Sequence, residues 1–280
     1  MSPILSLPSL RAGVGASAPF TGIDATLSRI EAFWDGAPDQ IVGTKWLSKY
    51  QHPLLANADV TMVNGTVYND TVTTGDGSIG YWAFNGSTHY GWINDLNYGN
   101  GGSHGDSNNG RMGEITFIIW FRTSYGTADA GGAWDSSNWS WLDWDRSECL
   151  SYNIGSTGKI QFSGESNSNV GSYYDITGDT PCNDGNWHMA SVVVSSSNSY
   201  IKFYLDGEPD GTRTYSFSYL NQGSRRWGFI GDGSEATGND GARNNVYYDG
   251  DIAQIALLSE YWSDAQIKNH FTKTRSRFGV

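Results

Sequence analysis

Apolar and polar positions alternate with a period of two along much of the chain, and a helical period appears only near its two ends. In residues 184–211, DGNWHMASVVVSSSNSYIKFYLDGEPDG, the residues Ile201, Phe203 and Leu205 alternate with Lys202 and Tyr204. That pattern puts one set on a buried face, the mark of a strand. The SSSNS link after the apolar run 189–194 is turn material, so the stretch predicts a hairpin of a largely antiparallel β protein. Further strands are predicted at 79–84 and 89–93 around the turn pair Asn85-Gly86. Others follow at 114–122, 139–144, 149–154, 159–164, 226–230 and 249–258, with Gly-Ser-Thr-Gly at 155–158 as a hairpin turn. Leu27, Ile30 and Phe33 or Trp34 predict a helix over 24–34, stopped by Gly36 and Pro38. Ser263-Asp-Ala-Gln266 fits a capping box, and Ile267, His270 and Phe271 follow on one face, which predicts a short C-terminal helix. Residues 39–75 offer mixed short elements with no firm assignment, and 97–113 read as a long polar loop.

Composition supports this class. The 280 residues can hold one large β domain or two modest ones. Thirty-six glycines exceed the usual share of about 7% and show no collagen period, so they mark many turns. Charge is sparse but one-sided, with 17 Lys and Arg against 29 Asp and Glu, net −12. Phosphate binding needs basic residues in number, so a nucleic-acid surface is not expected. No apolar run approaches the roughly 20 residues that cross a bilayer, and residues 1–15 do not read as a secretory signal. Four Asn-x-Ser/Thr sequons, at Asn64, Asn69, Asn85 and Asn138, arise easily in such a chain and carry little weight. Cys149 and Cys182 either form one disulfide or stay as two thiols, and two cysteines argue against a Cys-based metal centre.

A set of ordered landmarks carries a family resemblance. They are Phe84-Asn-Gly-Ser-Thr88, Ile115-Thr-Phe-Ile-Ile-Trp-Phe121, Trp144-Asp-Arg-Ser-Glu148, Asp184-Gly-Asn-Trp-His188, Phe203-Tyr-Leu-Asp-Gly207 and Tyr248-Asp-Gly-Asp-Ile-Ala253 with Ser263-Asp-Ala-Gln-Ile267. Together, over about 77–272, they resemble the laminin G-like, concanavalin A-like group of lectin and glucanase sandwiches, including pentraxin-type domains. The resemblance implies an all-β fold, an antiparallel jelly-roll sandwich. An N-terminal arm, a short helix after it and a short C-terminal helix complete the expected architecture. Residues 77–280 are expected to form the sandwich, and residues 1–76 an arm and anchoring segment for assembly. Leu5, Leu7, Leu10, Leu27, Ile30, Phe33 and Trp34 are its candidate contacts. The alternative is that part of 1–76 supplies extra strands to the sandwich.

The chemistry the resemblance suggests is of three kinds. Asp143-x-Asp145-x-x-Glu148 on a strand is similar to a glucanase catalytic strand, provided a bulge turns all three carboxylates to one face. Retaining hydrolysis needs two of them roughly 5–5.5 Å apart. Against this, Asp143 is one methylene shorter than the Glu of the family's nucleophile position, and Arg146 reads as a local partner of Asp145. Non-enzymatic function is therefore expected. Trp134, Trp139, Trp141 and Trp144 are the candidates for stacking on sugar rings, the alternative being that they fill the core. Such domains also often bind Ca²⁺ at the rim, and Asp106, Asn108, Asp232, Glu235, Asn239 and Asp240 offer oxygens there, though no family ligand set maps onto them; calcium needs six to eight. His188 reads as packed or hydrogen-bonded. The function expected is a structural protein of a viral, bacteriophage-type particle, displaying a lectin-like sandwich beside copies of itself and other virion proteins. The alternative is a carbohydrate-binding or adhesion protein, extracellular or at a cell surface, that contacts a host glycan. No membrane insertion is expected.

Overall fold

The computed structural model describes residues 23, 29–51, 57–74, 77–94, 114–124, 139–143, 151–154, 157–165, 173–195, 197–214, 228–233 and 246–280. Within them the chain runs through β1 (Ile30–Asp35), β2 (Ile41–Val42), β3 (Lys45–Trp46), β4 (Ser48–Gln51), β5 (Val60–Val63), β6 (Val67–Thr74), β7 (Gly77–Asn85), β8 (Tyr90–Ile93) and β9 (Glu114–Arg122). It continues through β10 (Trp139–Asp143), β11 (Ser151–Ile154), β12 (Lys159–Glu165), β13 (Tyr173–Pro181), β14 (Trp187–Ser195), β15 (Tyr200–Leu205), β16 (Glu208–Thr214), β17 (Phe229–Ile230) and β18 (Asp249–Leu258). One helix, α1 (Asp264–Thr274), leads into a 3-10 turn, Arg275–Phe278.

The strands form two antiparallel sheets. The first has the order β16-β15-β14-β9-β18-β1-β4, with β7 also on β18 and β6 on β7. The second has the order β13-β12-β11-β10-β17-β8-β5-β3-β2. Alternation explains the layer between them: from β9, Phe117, Ile119 and Phe121 point inward against Trp141 and Phe162 of the second sheet. Residues of the opposite parity in the first sheet, such as Ile118, Trp120 and Met189, form a second apolar layer on its outer face. This doubly buried sheet explains why β9 and β14 read as nearly continuous apolar runs.

The outer layer is closed by the C-terminal cap. Ser263 and Gln266 make the predicted capping box on α1. Phe278 stacks on Trp120 at a centroid distance of 3.8 Å, and the Trp120 indole N–H donates to Thr274 Oγ1 at 3.2 Å. Arg277 reaches past them to Asp35, donating at 2.6 Å.

The predicted helix over 24–34 is corrected over 30–34 by this arrangement, and 24–28 lie outside the described residues. Ile30–Asp35 is a fully buried strand, held between β18 and β4. A register shift between Ile30 and Ala32 breaks the simple alternation, and a short run that is apolar on both faces has no period to separate strand from helix. Ala32 and Trp34 join the inter-sheet layer, whereas Ile30 and Phe33 join the outer layer. Ile30, Phe33 and Trp34, three of the candidate assembly contacts, are therefore buried within the fold rather than offered as a surface. The candidate contacts Leu5, Leu7, Leu10 and Leu27 lie outside the described residues. Residues 30–74 put strands into both sheets, the alternative considered for this segment. Asn85-Gly86, in turn, is a corner that carries the chain from the first sheet to the second. Asn85 Oδ1 secures it by accepting the backbone N–H groups of Ser87, Thr88 and His89 at 3.1, 2.9 and 3.0 Å.

Candidate ligand-binding face

The outer face of the second sheet gathers aromatic and polar side chains. On β8, Ile93 points into the core while Tyr90 and Trp92 point out. Trp92 lies directly opposite Thr61 on one side and Phe229 on the other. Thr61 in turn faces Lys45, and Phe229 faces Asp143. Directly paired residues share a sheet face, so Lys45, Thr61, Trp92, Phe229 and Asp143 form one lateral row over five strands. With strands about 4.8 Å apart the row is roughly 19 Å long. Tyr90 packs on Phe229 with ring centroids 5.8 Å apart, and Val63, Trp92 and Tyr247 complete the cluster. Tyr90 and Phe229 are buried, whereas Trp92 and Tyr247 are half-buried. Asn94 follows Trp92 on the same face, and its Oδ1 accepts the Thr61 hydroxyl at 3.4 Å. Flat aromatic surface beside an amide and a hydroxyl suits a ligand with apolar faces and polar edges, as a sugar ring has.

Gly91 makes this outward cluster compatible with the core behind it. A Cβ there would lie 2.5 Å from Val60 Cγ1 and 2.7 Å from Met62 Sδ. Only a residue without a side chain lets β8 settle on β5 at that point.

The residues singled out in the sequence meet different fates. Asp143 ends β10 on the outer face, and its side chain is buried. A register shift between Ser140 and Leu142 turns both Trp141 and Leu142 inward. Trp141 is 0% exposed with its ring 4.5 Å from Phe121, so the expectation that it stacks on sugars is corrected to a core role. Trp139 belongs to β10, but its side chain lies outside the described residues, as do Trp134, Trp144, Asp145 and Glu148. The described residues therefore do not assemble the carboxylate pair that retaining hydrolysis requires. Trp92, Tyr90, Asn94 and Thr61 were not singled out. The alternation at 89–93 carried the signal for Tyr90 and Trp92, but not which face would lie outermost.

Of the acidic loop set, Asp232 alone is described. Its carboxylate is buried and Oδ1 accepts the backbone N–H groups of Gly233 and Val246 at 2.8 and 3.1 Å. That oxygen fixes a loop, and no cluster of three or more His, Cys, Asp or Glu suited to a metal occurs among the described residues. Cys182 is a buried thiol that donates to the Gly158 carbonyl at 3.3 Å. Trp187 packs in the outer layer: its ring is 5.3 Å from Phe278 and lies under Arg122, 5.0 Å away. Arg122 is also bound through Nε to Asp251 at 2.9 Å.

A model of the concanavalin A-like lectin/glucanases superfamily, of the laminin G type, matches residues 96–268. No curated protein matches the sequence. Among solved structures, the binding domain of Paraclostridial Mosquitocidal Protein 1 superposes with a TM-score of 0.56 at 9% identity, covering 88% of this chain and 52% of that one. The binding domain of botulinum neurotoxin DC in complex with SialylT gives 0.55 at 10% identity, with 88% and 52% covered. A botulinum neurotoxin type C structure, whose cell entry is described as dependent on two ganglioside molecules, gives 0.55 at 10% identity, with 88% and 51% covered. The chain thus spans about half the length of these neighbours, and at such identities the likeness is one of fold.

Proposed function

The chain belongs to the concanavalin A-like lectin/glucanases superfamily, and we propose that it is a non-enzymatic carbohydrate-binding protein whose glycan lies across the outer face of the second sheet. The observation that carries this reading is the half-buried Trp92, directly opposite Thr61 and with half-buried Tyr247 in the same aromatic cluster, backed by the buried Tyr90 and Phe229. Neighbours of like fold described with SialylT and with gangliosides support a sugar as the ligand class. Burial of Asp143 supports binding over hydrolysis.

The test is a glycan array of neutral and sialylated oligosaccharides, followed by titration of the best binder against wild type and Trp92→Ala. Covering some 60 Å² of indole contributes about 1.5 kcal/mol, so the variant is expected to bind roughly tenfold more weakly. Equal binding by a folded Trp92→Ala protein would remove this face from consideration. Release of reducing sugar from the bound oligosaccharide would replace the lectin reading with a hydrolase. Display on a virion, beside copies of itself and other structural proteins, is the narrower form of the proposal. It draws on the Pro-, Ser-, Gly- and Ala-rich arm of residues 1–22 and on the acidic charge. Co-migration with a megadalton particle at fixed stoichiometry supports it, and recovery only as a free small protein overturns it.

A further inference from the structure

At one rim of the sandwich, the connection between β13 and β14 carries the chain from the second sheet to the first. Cys182 N–H donates to the Gly158 carbonyl and Gly185 N–H to the Thr123 carbonyl, at 2.8 and 2.9 Å. His188, the second residue of β14, stands behind this link with its ring 6.1 Å from that of Phe121. Its Nδ1 lies 2.8 Å from Asp206 Oδ2 and its Nε2 lies 3.0 Å from Asp184 Oδ1.

Both carboxylates are fixed as acceptors by other bonds. Asp206 sits in the β15–β16 turn at φ +52°, followed by Gly207 at +79°, and its Oδ1 accepts the Met189 backbone N–H at 2.9 Å. Asp184 accepts the Asn186 backbone N–H and side-chain amide, each at 2.9 Å. An ionised carboxylate only accepts, and a neutral imidazole has a single N–H to donate. Satisfying both contacts therefore takes the imidazolium. We propose that His188 is a pH-operated clamp, which when protonated ties the 183–186 turn to the 206–207 turn and when neutral releases the first of them.

Asp184 is the contact that goes. The Nδ1 bond is the shorter, its carboxylate is also pinned by Met189, and the Asp184 side chain is 55% exposed against 34% for Asp206. The titratable groups facing the ring are these two aspartates, with the Cys182 thiol of the same link close to both. The thiol is pushed well up, chiefly by burial, and carries no charge in this range. Asp184 is drawn down to about 2, first by the Asn186 backbone N–H, so it stays ionised. For His188, burial is the largest influence and pushes it down. The bonds and charges of Asp206 and then Asp184 outweigh that, and it rests above the ordinary 6.5. The clamp is thus complete below pH 6.5 and is lost as pH rises through the folded value.

The experiment is a ring-nitrogen NMR titration of the full chain, with hydrogen exchange of residues 183–187 corrected for intrinsic rate. His188 is expected to titrate above 6.5 with both nitrogens protonated at pH 6. Protection at Gly185 and Asn186 is expected to fall through that same pH in wild type and to be flat in His188→Gln. Asp184→Asn, at an exposed position, serves where the histidine variant does not fold: it lowers the His188 value and flattens the profile. Titration at or below 6.5, or protection independent of pH in the wild type, overturns the clamp.

Discussion

Removing Arg277 tests whether the N-terminal strand and the C-terminal cap form one buried unit. The guanidinium donates to Asp35 Oδ1 at 2.6 Å, and the two side chains are 7% and 0% exposed. Lys49 approaches the other oxygen at 3.5 Å and is 27% exposed, so it neutralises Asp35 only in part. Taking one partner from a buried pair costs about 3–5 kcal/mol, because the remaining charge keeps its desolvation penalty. With Lys49 in place, the low end is expected for Arg277→Met, about 3 kcal/mol. In a chain this long that lowers Tm by roughly 6–12 °C. Asp35→Leu in the same background removes the stranded charge and is expected to restore most of the loss. Urea unfolding of wild type, both single variants and the double variant gives the cycle. A loss below about 1 kcal/mol for Arg277→Met, or a double variant no better than the worse single one, would show that this pair does not tie the cap to β1.

Two further perturbations address the interior. Burial pushes Glu31 up to about 7, with Ser259 and Arg29 offsetting part of it. Its contribution to stability is complete below about pH 4.5 and is lost as pH rises through about 7. Glu31→Gln should therefore stabilise the protein at pH 8, by up to roughly 3 kcal/mol, and hardly at all at pH 4.5, as read by urea unfolding at each pH. Gly91→Ala forces a methyl group against Val60 and Met62 and is expected to cost about 1–3 kcal/mol, read from the same unfolding curves; an unchanged midpoint would mean that β5 and β8 are not packed as described.

Much of the fold is written in local pattern. The strand 114–122 and the closing strand 249–258 have the bounds their apolar runs predict, and the capping box at Ser263 places α1. These elements carry their own signals, a run length, an alternation or a side-chain cap, and need no partner to be recognised. Ile30–Asp35 has no such signal. Its side chains are buried on both faces because the second sheet packs against one and the outer layer with the C-terminal cap covers the other, so its apolar residues obey no single period.

The candidate site divides in the same way. Alternation, turn residues and ordered landmarks are enough to specify an antiparallel sandwich rich in tryptophan, with aspartates at its turns. Which tryptophan faces where is set by long-range packing. A one-residue register shift sends Trp141 into the core, whereas strict alternation leaves Trp92 on the opposite face of the same sheet. Long-range packing also decided that His188 would meet two aspartates from separate turns, one of them 18 residues along the chain. Local pattern fixes whether a residue is in a strand. Which face is covered, and what lies opposite, depends on pairings between segments far apart in sequence, which no local period encodes.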